Sequence, residues 1–381
     1  MILDEAASGR GLLREDTSAG VVRSQRVRKI RTASRDVLSA TPVFETYWRF
    51  AAARQEAFVR RVEGAAPPWT TDPIIGAHRF TNVYRASDRV SQYLIRHVIY
   101  EGDPAPEEIF FRTVLFKLFN RIDTWERLVE ALGPISWRRF QLERTEAVLN
   151  AIFDSGARVY SAAYIMPSPA FGSQRKHANH LRLVQHMMKD RAPAKVMAAR
   201  SLEEVFLLMR GYPSLGDFLA FQLTIDLNYG PMLNFSEMDF VVAGPGARDG
   251  IRKCFASTNG MSEAEVIRSV AEMAVDEFAR LDLTFHDLWG RPLQLIDCQN
   301  LFCEVDKYAR VAHPEFLGES GRTRIKQRFV AQERALPQWY PPKWKLRWPT
   351  DPGRTAPGHV SPGASKTRVR AVRSPLSVPP S

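Results

Sequence analysis

The chain has 381 residues, of which 45% are hydrophobic and 25% charged, so it can bury a core and is not disordered throughout. No stretch approaches the roughly 18 consecutive apolar residues of a membrane span, so no membrane partner is expected. The three cysteines, Cys254, Cys298 and Cys303, are too few for a disulfide framework and suit a reducing compartment. Neither they nor the isolated pair His177 and His180 has the spacing of a metal site, so no metal is expected.

The net charge of +11 is concentrated at the two ends of the sequence. Residues 1–40 carry +3 and residues 330–381 carry +7, which leaves +1 for the 289 residues between them. Ten of the 25 prolines lie in residues 336–381, a composition that does not repay the entropy of ordering. We therefore predict a flexible basic N-terminal arm (1–40), a helical domain (41–329) and a Pro-rich, basic, disordered tail (330–381). Such ends either attract polyanions or only aid solubility.

Between the two ends the apolar residues follow mainly helical spacing. In residues 81–100 they recur at three- and four-residue steps, as one buried helix face requires. Further helices are predicted over residues 107–120, 136–153 and 174–189 and after the capping boxes at Ser201 and Ser262. The best strand patterns cover only residues 159–166 and 240–243. The sequence thus predicts a mainly α, multi-helix domain with few short strands.

Residues 211–222 (GYPSLGDFLAFQ) predict a helix end, a short hairpin and a new helix. The segment resembles the helix-hairpin-helix of DNA glycosylases, in which a hairpin glycine lets the backbone approach a DNA phosphate. Asp239 follows Gly216 by 23 positions, about where that superfamily places its catalytic aspartate. Phe218 stands where the bifunctional enzymes have lysine, which argues against lyase chemistry. The candidates for DNA-backbone contact are Pro213, Ser214 and Gly216.

Longer motifs occur at residues 79–89 (RFTNVYRASDR), 212–220 (YPSLGDFLA), 238–242 (MDFVV), 244–250 (GPGARDG) and 295–308 (LIDCQNLFCEVDKY). In these motifs the sequence resembles the 5-hydroxymethyl-deoxyuridine DNA kinase helical-domain family. That family is similar to the α-glutamyl/putrescinyl-thymine pyrophosphorylases of bacteriophages, and the resemblance covers about residues 42–329. It implies hypermodification of 5-hydroxymethyluracil in DNA, in which the base is phosphorylated and an amine then attacks the activated methylene.

The sequence contains no Gly-x-x-x-x-Gly-Lys-Ser/Thr phosphate loop, so the ATP-dependent step is not expected of this chain. We expect the displacement of phosphate or pyrophosphate instead, with an amine as co-substrate and no other cofactor. The implied partners are DNA, a separate P-loop kinase and an enzyme that forms the hydroxymethyluracil. Two alternatives stay open: glycosylase-like excision of a modified base, and a non-catalytic DNA-binding module beside a kinase. The location would be the nucleoid in a bacterial or phage source and the nucleus in a eukaryotic one.

Displacement builds negative charge on the leaving group, so cations and backbone N–H groups must converge on it. The glycine turn at Gly244 and Gly246 precedes a basic helix start, which suits a phosphate cradle. The leaving-group candidates are Arg248, Arg252 and Lys253. The alternative is a solvated basic helix face after a tight turn.

The remaining candidates supply acid–base and base-reading groups. Asp239 could orient or deprotonate the amine, or it could be a helix N-cap. The candidates for reading a flipped base are Asn82, Tyr84, Arg85, Asp88 and Arg89. The secondary candidates, which share one helix side and either face the pocket or lock the bundle, are Asp297, Asn300 and Glu304.

Overall fold

The computed structural model describes residues 27–164, 166–330 and 337–347. These residues form a mainly α structure, as predicted, and none of their helices is long and apolar enough to cross a membrane. The helices are α1 (Pro42–Val62), α2 (Pro73–Ala77), α3 (Arg89–Tyr93), α4 (Pro106–Phe119), α5 (Ile122–Leu132), α6 (Leu142–Asp154), α7 (Lys176–Lys189), α8 (Ala192–Ala198), α9 (Leu202–Arg210), α10 (Asp217–Tyr229), α11 (Pro245–Cys254), α12 (Glu263–Glu272), α13 (Ala274–Arg280) and α14 (Leu295–Ala312). Short 3-10 turns occur at Arg85–Ser87, Trp137–Arg139 and Pro342–Trp344, and Leu94–Ile99 is π-helical.

A small antiparallel sheet has the order β1–β2–β3, with strands Arg28–Arg31, Val37–Ala40 and Phe255–Ser257. Both strand predictions were wrong: residues 240–243 have no regular secondary structure, and the described part of 159–166 consists of bends and irregular backbone. Val159, Met166, Val241 and Ala243 of these segments are buried in the helical core, which produced the misleading pattern.

The two predicted flexible ends need correction where the structure describes them. Residues 28–40 were assigned to the N-terminal arm, but they form β1 and β2 because Ile30 and Leu38 join the core. Residues 337–347 were assigned to the tail, yet Tyr340 is buried and its hydroxyl lies 2.7 Å from Ser87 Oγ. We call residues 337–347 the C-terminal strap. The predictions for residues 1–26, 331–336 and 348–381 lie outside the described residues.

Helices α1, α11 and α14 form one tightly packed part of the core. A Cβ atom on Gly250 of α11 would lie 2.0 Å from the carbonyl oxygen of Phe302 in α14. A Cβ on Gly246 would lie 2.4 Å from Cys303 Sγ. Tyr47 of α1 packs against the Phe302 ring, with 4.7 Å between the ring centroids. The two glycines therefore allow close helix contact.

Helix α10 crosses the other part of the core beside α4 and α9. Both α4 and α10 are buried on nearly every side, so apolar residues surround their axes instead of forming one stripe. Within the strap, Lys343 Nζ donates to the carbonyls of Gly230 (3.0 Å) and Leu233 (2.7 Å), just after the C-terminus of α10. The strap therefore fastens the end of α10 to the body.

Two predicted helices are interrupted. The predicted helix over 81–100 starts irregularly, because Asp88 is extended and its Oδ1 accepts a hydrogen bond from Asn82 N at 2.8 Å. The predicted helix over 136–153 becomes a 3-10 turn followed by α6, where extended Phe140 packs on Phe111.

Two other predictions concern helix starts. The capping box at Ser262 is confirmed. At Ser201 only half of the box forms, since the Glu204 carboxylate accepts from Arg200 N instead.

Candidate functional site

A buried cluster of three charges joins three elements near the middle of the fold. Asp226 of α10 forms ion pairs with Arg85, whose Nη1 lies 2.8 Å from Oδ1, and with Lys117 of α4, whose Nζ lies 2.9 Å from Oδ2. None of the three side chains is more than 4% exposed. Burial by itself would raise the pKa of Asp226, but the two cations outweigh it and hold that pKa below its usual value. We call Arg85, Lys117 and Asp226 the charged centre.

Arg85 is fixed by further bonds. Its Nε donates to Gln222 Oε1 at 2.8 Å, its Nη1 donates to Tyr229 OH at 3.0 Å, and its backbone N donates to Asp297 Oδ1 at 2.9 Å. A guanidinium that is 2% exposed and fully engaged does not reach a base. Arg85 therefore holds residues 82–88 against α10 and α14 and does not take the predicted role of reading a base.

A second group of polar side chains lies beside the charged centre and is partly exposed. Asp88 is half-buried, and Asn82 accepts a hydrogen bond from Arg54 Nη2. Glu304 Oε2 accepts a hydrogen bond from Thr81 N at 3.0 Å. Burial raises the pKa of Asp88 to about 6, with the bond from Asn82 N opposing the rise and the charge of Glu304 adding to it. We call Arg54, Asn82, Asp88 and Glu304 the rim group. It holds a carboxyl group that can exchange a proton near neutral pH.

Of the other base-reading candidates, Tyr84 is buried and its hydroxyl donates to the carbonyl of Arg291 at 2.9 Å. Arg89 is exposed at the start of α3, next to the rim group. Arg89 therefore remains available to a ligand, whereas Tyr84 acts within the core.

The secondary candidates Asp297, Asn300 and Glu304 mainly hold helix α14 against the neighbouring segments. Asp297 accepts hydrogen bonds from Arg85 N and from Gln294 N at 3.1 Å, which closes a capping box on α14. Burial, with the nearby Glu237 carboxylate adding, raises the pKa of Asp297 to about 7. Asn300 Nδ2 donates to Thr81 Oγ1 at 3.1 Å. Together with Glu304, these side chains fasten residues 81–85 to α14.

The predicted leaving-group candidates do not form one basic face. Lys253 is 1% exposed and pairs with Asp306 Oδ1 at 2.8 Å, so its ammonium group is inside the core. Arg252 is exposed and pairs with Glu319, and exposed Arg248 lies 4.0 Å from Glu263. Gly244 faces the Phe218 ring and Gly246 faces α14. In this arrangement, only the two exposed arginines are accessible to a phosphate.

Asp239 lies in an exposed turn. It is not a helix N-cap, since residues 240–243 are not helical and Gly244 caps α11. Its backbone carbonyl oxygen accepts a hydrogen bond from Arg268 Nη2 at 2.9 Å. Among the described residues, no ion pair joins its carboxylate to Arg248 or Arg252. The predicted catalytic aspartate therefore has no direct ion pair with the two exposed arginines of the predicted cradle.

The helix–turn–helix order around the hairpin is present, with α9 before it and α10 after it. Pro213 is exposed, and Ser214 takes the left-handed conformation at φ 65°. Gly216 is the N-cap of α10 at φ −72°, and a Cβ there would meet no atom within 4 Å. Neither backbone geometry nor internal packing requires a glycine at 216. Contact with a DNA phosphate stays a prediction for this position.

An exposed basic segment runs beside the rim group. We call residues 321–328 (GRTRIKQR) the basic ribbon, in which Arg322, Arg324, Lys326 and Arg328 are exposed. Arg79 N donates to the carbonyl of Gln327 at 3.0 Å, so the ribbon lies against the segment that leads into Asn82. It offers several cations to a polyanion close to Asp88.

Sequence reasoning missed the members of the charged centre other than Arg85. Lys117 and Asp226 each stand between two large apolar residues in helices that are apolar on all sides. Charged residues are almost never fully buried unless they are paired. A lysine in one helix that is apolar on all sides and an aspartate in another therefore indicate, from the sequence alone, an ion pair inside the core.

Residues 41–318 match the family described as "5-hmdU DNA kinase, helical domain". The chain belongs to this family. A 5-hmdU DNA kinase of Bacillus phage SP10 is 28% identical over 299 residues, which cover 72% of this chain and 46% of the relative. The chain thus spans about half the length of this curated relative. No solved structure matches, so the glycosylase-like fold and the relation to the pyrophosphorylases stay predictions.

Proposed function

We propose that this chain modifies 5-hydroxymethyluracil in DNA by letting an amine displace phosphate or pyrophosphate from the activated methylene group. Membership of the family over residues 41–318 carries the proposal, since the curated relative is named for the same base in DNA. The sequence itself has no phosphate loop, which favours a step other than ATP-dependent phosphorylation. A separate kinase and an enzyme that forms the modified base would supply the substrate.

In this step the amine nitrogen bonds to the methylene carbon while the bond from that carbon to the phosphate oxygen breaks. The attacking ammonium group must first lose one proton to expose the lone pair of its nitrogen, and the leaving group takes the electron pair of the broken bond. Asp88 is the best-placed proton acceptor, because it is half-buried and its pKa of about 6 keeps it ionised at neutral pH. This assigns to Asp88 the role that the sequence pattern suggested for Asp239.

Two surfaces support the placement of DNA beside Asp88. The basic ribbon lies against the segment before Asn82, and phosphate contacts of this kind position a duplex without reading its sequence. Arg89 is exposed one position after Asp88 and could hold a flanking phosphate. A base flipped out of the stack would then lie next to the rim group.

The proposal is tested by product analysis without ATP. DNA containing pyrophosphorylated or phosphorylated 5-hydroxymethyluracil is incubated with the full chain and a panel of amines, and its nucleosides are then profiled by mass spectrometry. We expect a new aminomethyl nucleoside with wild type and at least about a hundred-fold slower formation with Asp88→Asn. Asp239→Asn is the matched control and should retain activity. Free base and abasic DNA would instead indicate a glycosylase.

A second candidate function is that of a non-catalytic DNA-binding half of a kinase system. The observation that favours it is the length of the SP10 relative, of which the matched residues cover 46%. On this alternative, the chain should raise the rate at which a separate kinase phosphorylates hydroxymethyluracil DNA, and Asp88→Asn should leave that stimulation intact. Phosphorylation without an aminomethyl product would favour this candidate.

A further inference from the structure

The strap contacts the segment that carries Asp88 at two points. Tyr340 is 7% exposed, and its hydroxyl lies 2.7 Å from the Oγ of Ser87, the residue before Asp88. Trp339 N donates to Gln92 Oε1 at 2.6 Å, and Gln92 N donates to the backbone carbonyl of Asp88 at 2.8 Å. The strap therefore holds the chain on both sides of Asp88.

The hydrogen bond between Tyr340 and Ser87 has a defined direction. Tyr340 OH donates to Gln338 Oε1 at 3.0 Å, so the phenol oxygen accepts the hydrogen of the Ser87 hydroxyl. Burial raises the pKa of Tyr340 above its ordinary value, and the charges of Asp88 and Asp297 add to the rise, whereas the bond from Ser87 opposes it. The phenol is therefore protonated at neutral pH. Ser87 is buried, so loss of this acceptor would leave its hydroxyl without the bond and without water.

A displacement of Ser87 would move the Asp88 carboxylate as well. Asn82 bonds to both residues, since its Nδ2 donates to the Ser87 carbonyl at 2.6 Å and its backbone N donates to Asp88 Oδ1 at 2.8 Å. Gln92 makes a second link, because its Nε2 donates to the Ala86 carbonyl at 2.7 Å while its Oε1 accepts from the strap. Each contact of the strap is thus passed on to the backbone or the carboxylate of residues 86–88.

The strap is itself anchored to the body of the protein. Besides the bonds of Lys343 to the carbonyls that follow α10, Trp344 packs edge-on against Tyr229 with 5.6 Å between the ring centroids. The guanidinium carbon of Arg291 lies 4.0 Å from the centroid of the Trp344 ring, a cation–π contact. Tyr229 also accepts a hydrogen bond from Arg85, so the strap rests on a neighbour of the charged centre. The strap lies beyond residue 318, where the family match ends, so family membership assigns it no role.

We propose that the strap is part of the site and that Tyr340 is a positioning residue, which fixes Asp88 through Ser87. Tyr340 supplies the hydrogen-bond acceptor that keeps residues 82–88 in one conformation. The functional unit then extends to residue 347, past the helical domain that the family describes. The consequence for catalysis rests on the proposed function, whereas the positioning is a property of the free protein.

Amide hydrogen exchange in the full chain without DNA tests the positioning. The Asn82 amide is the reporter, because it exchanges when its bond to Asp88 Oδ1 opens. Tyr340→Phe removes the acceptor but keeps the buried ring, so exchange at Asn82 should become about five- to ten-fold faster, as expected for the loss of one buried hydrogen bond. Exchange in α7 should not change. Unchanged exchange at Asn82, or an equal increase in α7, would overturn the proposal.

A matched control and a double variant identify the bond that is responsible. Tyr160→Phe removes a hydroxyl that lies 2.8 Å from His180 Nδ1 of α7 and should leave exchange at Asn82 unchanged. Ser87→Ala breaks the bond to Tyr340 from the other side and should also accelerate this exchange. Because both substitutions break the same bond, the double variant should exchange no faster than the faster single variant. Effects that multiply in the double variant would mean that the two side chains act independently and would contradict the link.

Single-turnover kinetics test the consequence for catalysis. On activated DNA, Tyr340→Phe should slow formation of the aminomethyl nucleoside about five- to ten-fold and leave DNA affinity unchanged, because a less fixed Asp88 affects the reaction and not the binding of the duplex. Weaker DNA affinity with an unchanged rate would assign the strap to DNA binding and overturn the proposal. If wild type forms no product, the proposed function fails, while the exchange measurements on the free protein still decide whether Tyr340 positions Asp88.

Discussion

Asp226 shows how one residue organises the centre of the molecule. Its carboxylate is fully buried and is shared by Arg85 and Lys117 from two other elements. Burying an ion pair brings little net stability, but removing one partner leaves an uncompensated buried charge. The charged centre therefore fixes how α4, α10 and the 3-10 turn fit together, beyond what apolar contact specifies.

Asp226→Asn should lower the free energy of unfolding by about 3–5 kcal/mol, because Arg85 and Lys117 would then be buried without a counter-ion. Asp217→Asn is the matched control in the same helix, since Asp217 is exposed and pairs with exposed Arg210. It should cost at most about 1 kcal/mol. Urea unfolding of both variants measures the difference, and equal costs would contradict the role of the charged centre.

The raised pKa of Asp297 predicts a pH dependence with a definite sign. Its folded pKa of about 7 lies above its ordinary value of 3.8, so its contribution to stability is present below about pH 4 and is lost as the pH rises toward 7. An asparagine at this position does not titrate. Relative to wild type, Asp297→Asn should therefore gain stability as the pH rises from about 5 to 7, by up to about 1.4 kcal/mol per pH unit. Unfolding curves at several pH values measure this, and a pH-independent difference would refute it.

The sequence singled out Asp88 as a candidate for reading a flipped base, but it did not predict the surroundings of that side chain. Arg85 looked like a surface arginine by helical spacing, and only the tertiary contact with Asp226 turns it inward. Lys253 looked like part of a basic face, and Asp306 of α14, 53 positions away, draws it into the core. Pairings over such separations are not visible in local periodicity.

At the scale of elements, the contact between α11 and α14 depends on glycine. Gly250→Ala should destabilise the protein by about 1–3 kcal/mol or more, because the new methyl group would overlap the backbone of Phe302. Gly216→Ala is the matched comparison, since open space surrounds that position and replacing this N-cap should cost at most about 1 kcal/mol. Thermal unfolding of both variants tests the packing, and similar costs would contradict it.

The basic ribbon makes a separate prediction about DNA. Replacing Arg322, Arg324 and Lys326 by alanine should weaken duplex binding and reduce the slope of log affinity against log salt by about 2–3, roughly one unit for each phosphate that the protein no longer neutralises. Fluorescence anisotropy at several salt concentrations measures both quantities. Arg127→Ala with Arg144→Ala removes two exposed arginines elsewhere and should change neither. An equal effect of both sets would show only a general charge effect.

Elements with clear apolar spacing were predictable, and irregular ones were not. The predicted helices at 107–120 and 174–189 correspond closely to α4 and α7. Residues 81–100 have the same spacing but pass through 3-10, α and π geometry, because side-chain bonds within residues 82–88 compete with the helix. The strands at 28–40 were missed although β1 pairs locally with β2, and only the pairing of β2 with β3 joins residues more than 200 positions apart.

At the scale of the whole molecule, composition described the ends correctly as basic but not where they meet the domain. The strap crosses from Gln92 to Trp289, with Trp339 N donating to Gln92 Oε1 at 2.6 Å. Aromatic residues among the prolines of residues 337–347 were the available sign of docking, because Trp and Tyr bury large areas with few rotatable bonds. The fold class and family followed from the sequence, whereas the site required tertiary contacts.

The central claim is that the chain itself exchanges an amine for phosphate or pyrophosphate on hydroxymethyluracil DNA, with Asp88 accepting a proton. The most direct measurement is a single-turnover reaction without ATP, in which release of the leaving group and formation of the aminomethyl nucleoside are followed together. We expect equal amounts of both products with wild type and Asp239→Asn, and formation of both at least about a hundred-fold slower with Asp88→Asn despite unchanged DNA affinity. Normal turnover by Asp88→Asn, or no product from wild type bound to the activated DNA with amines present, would contradict it.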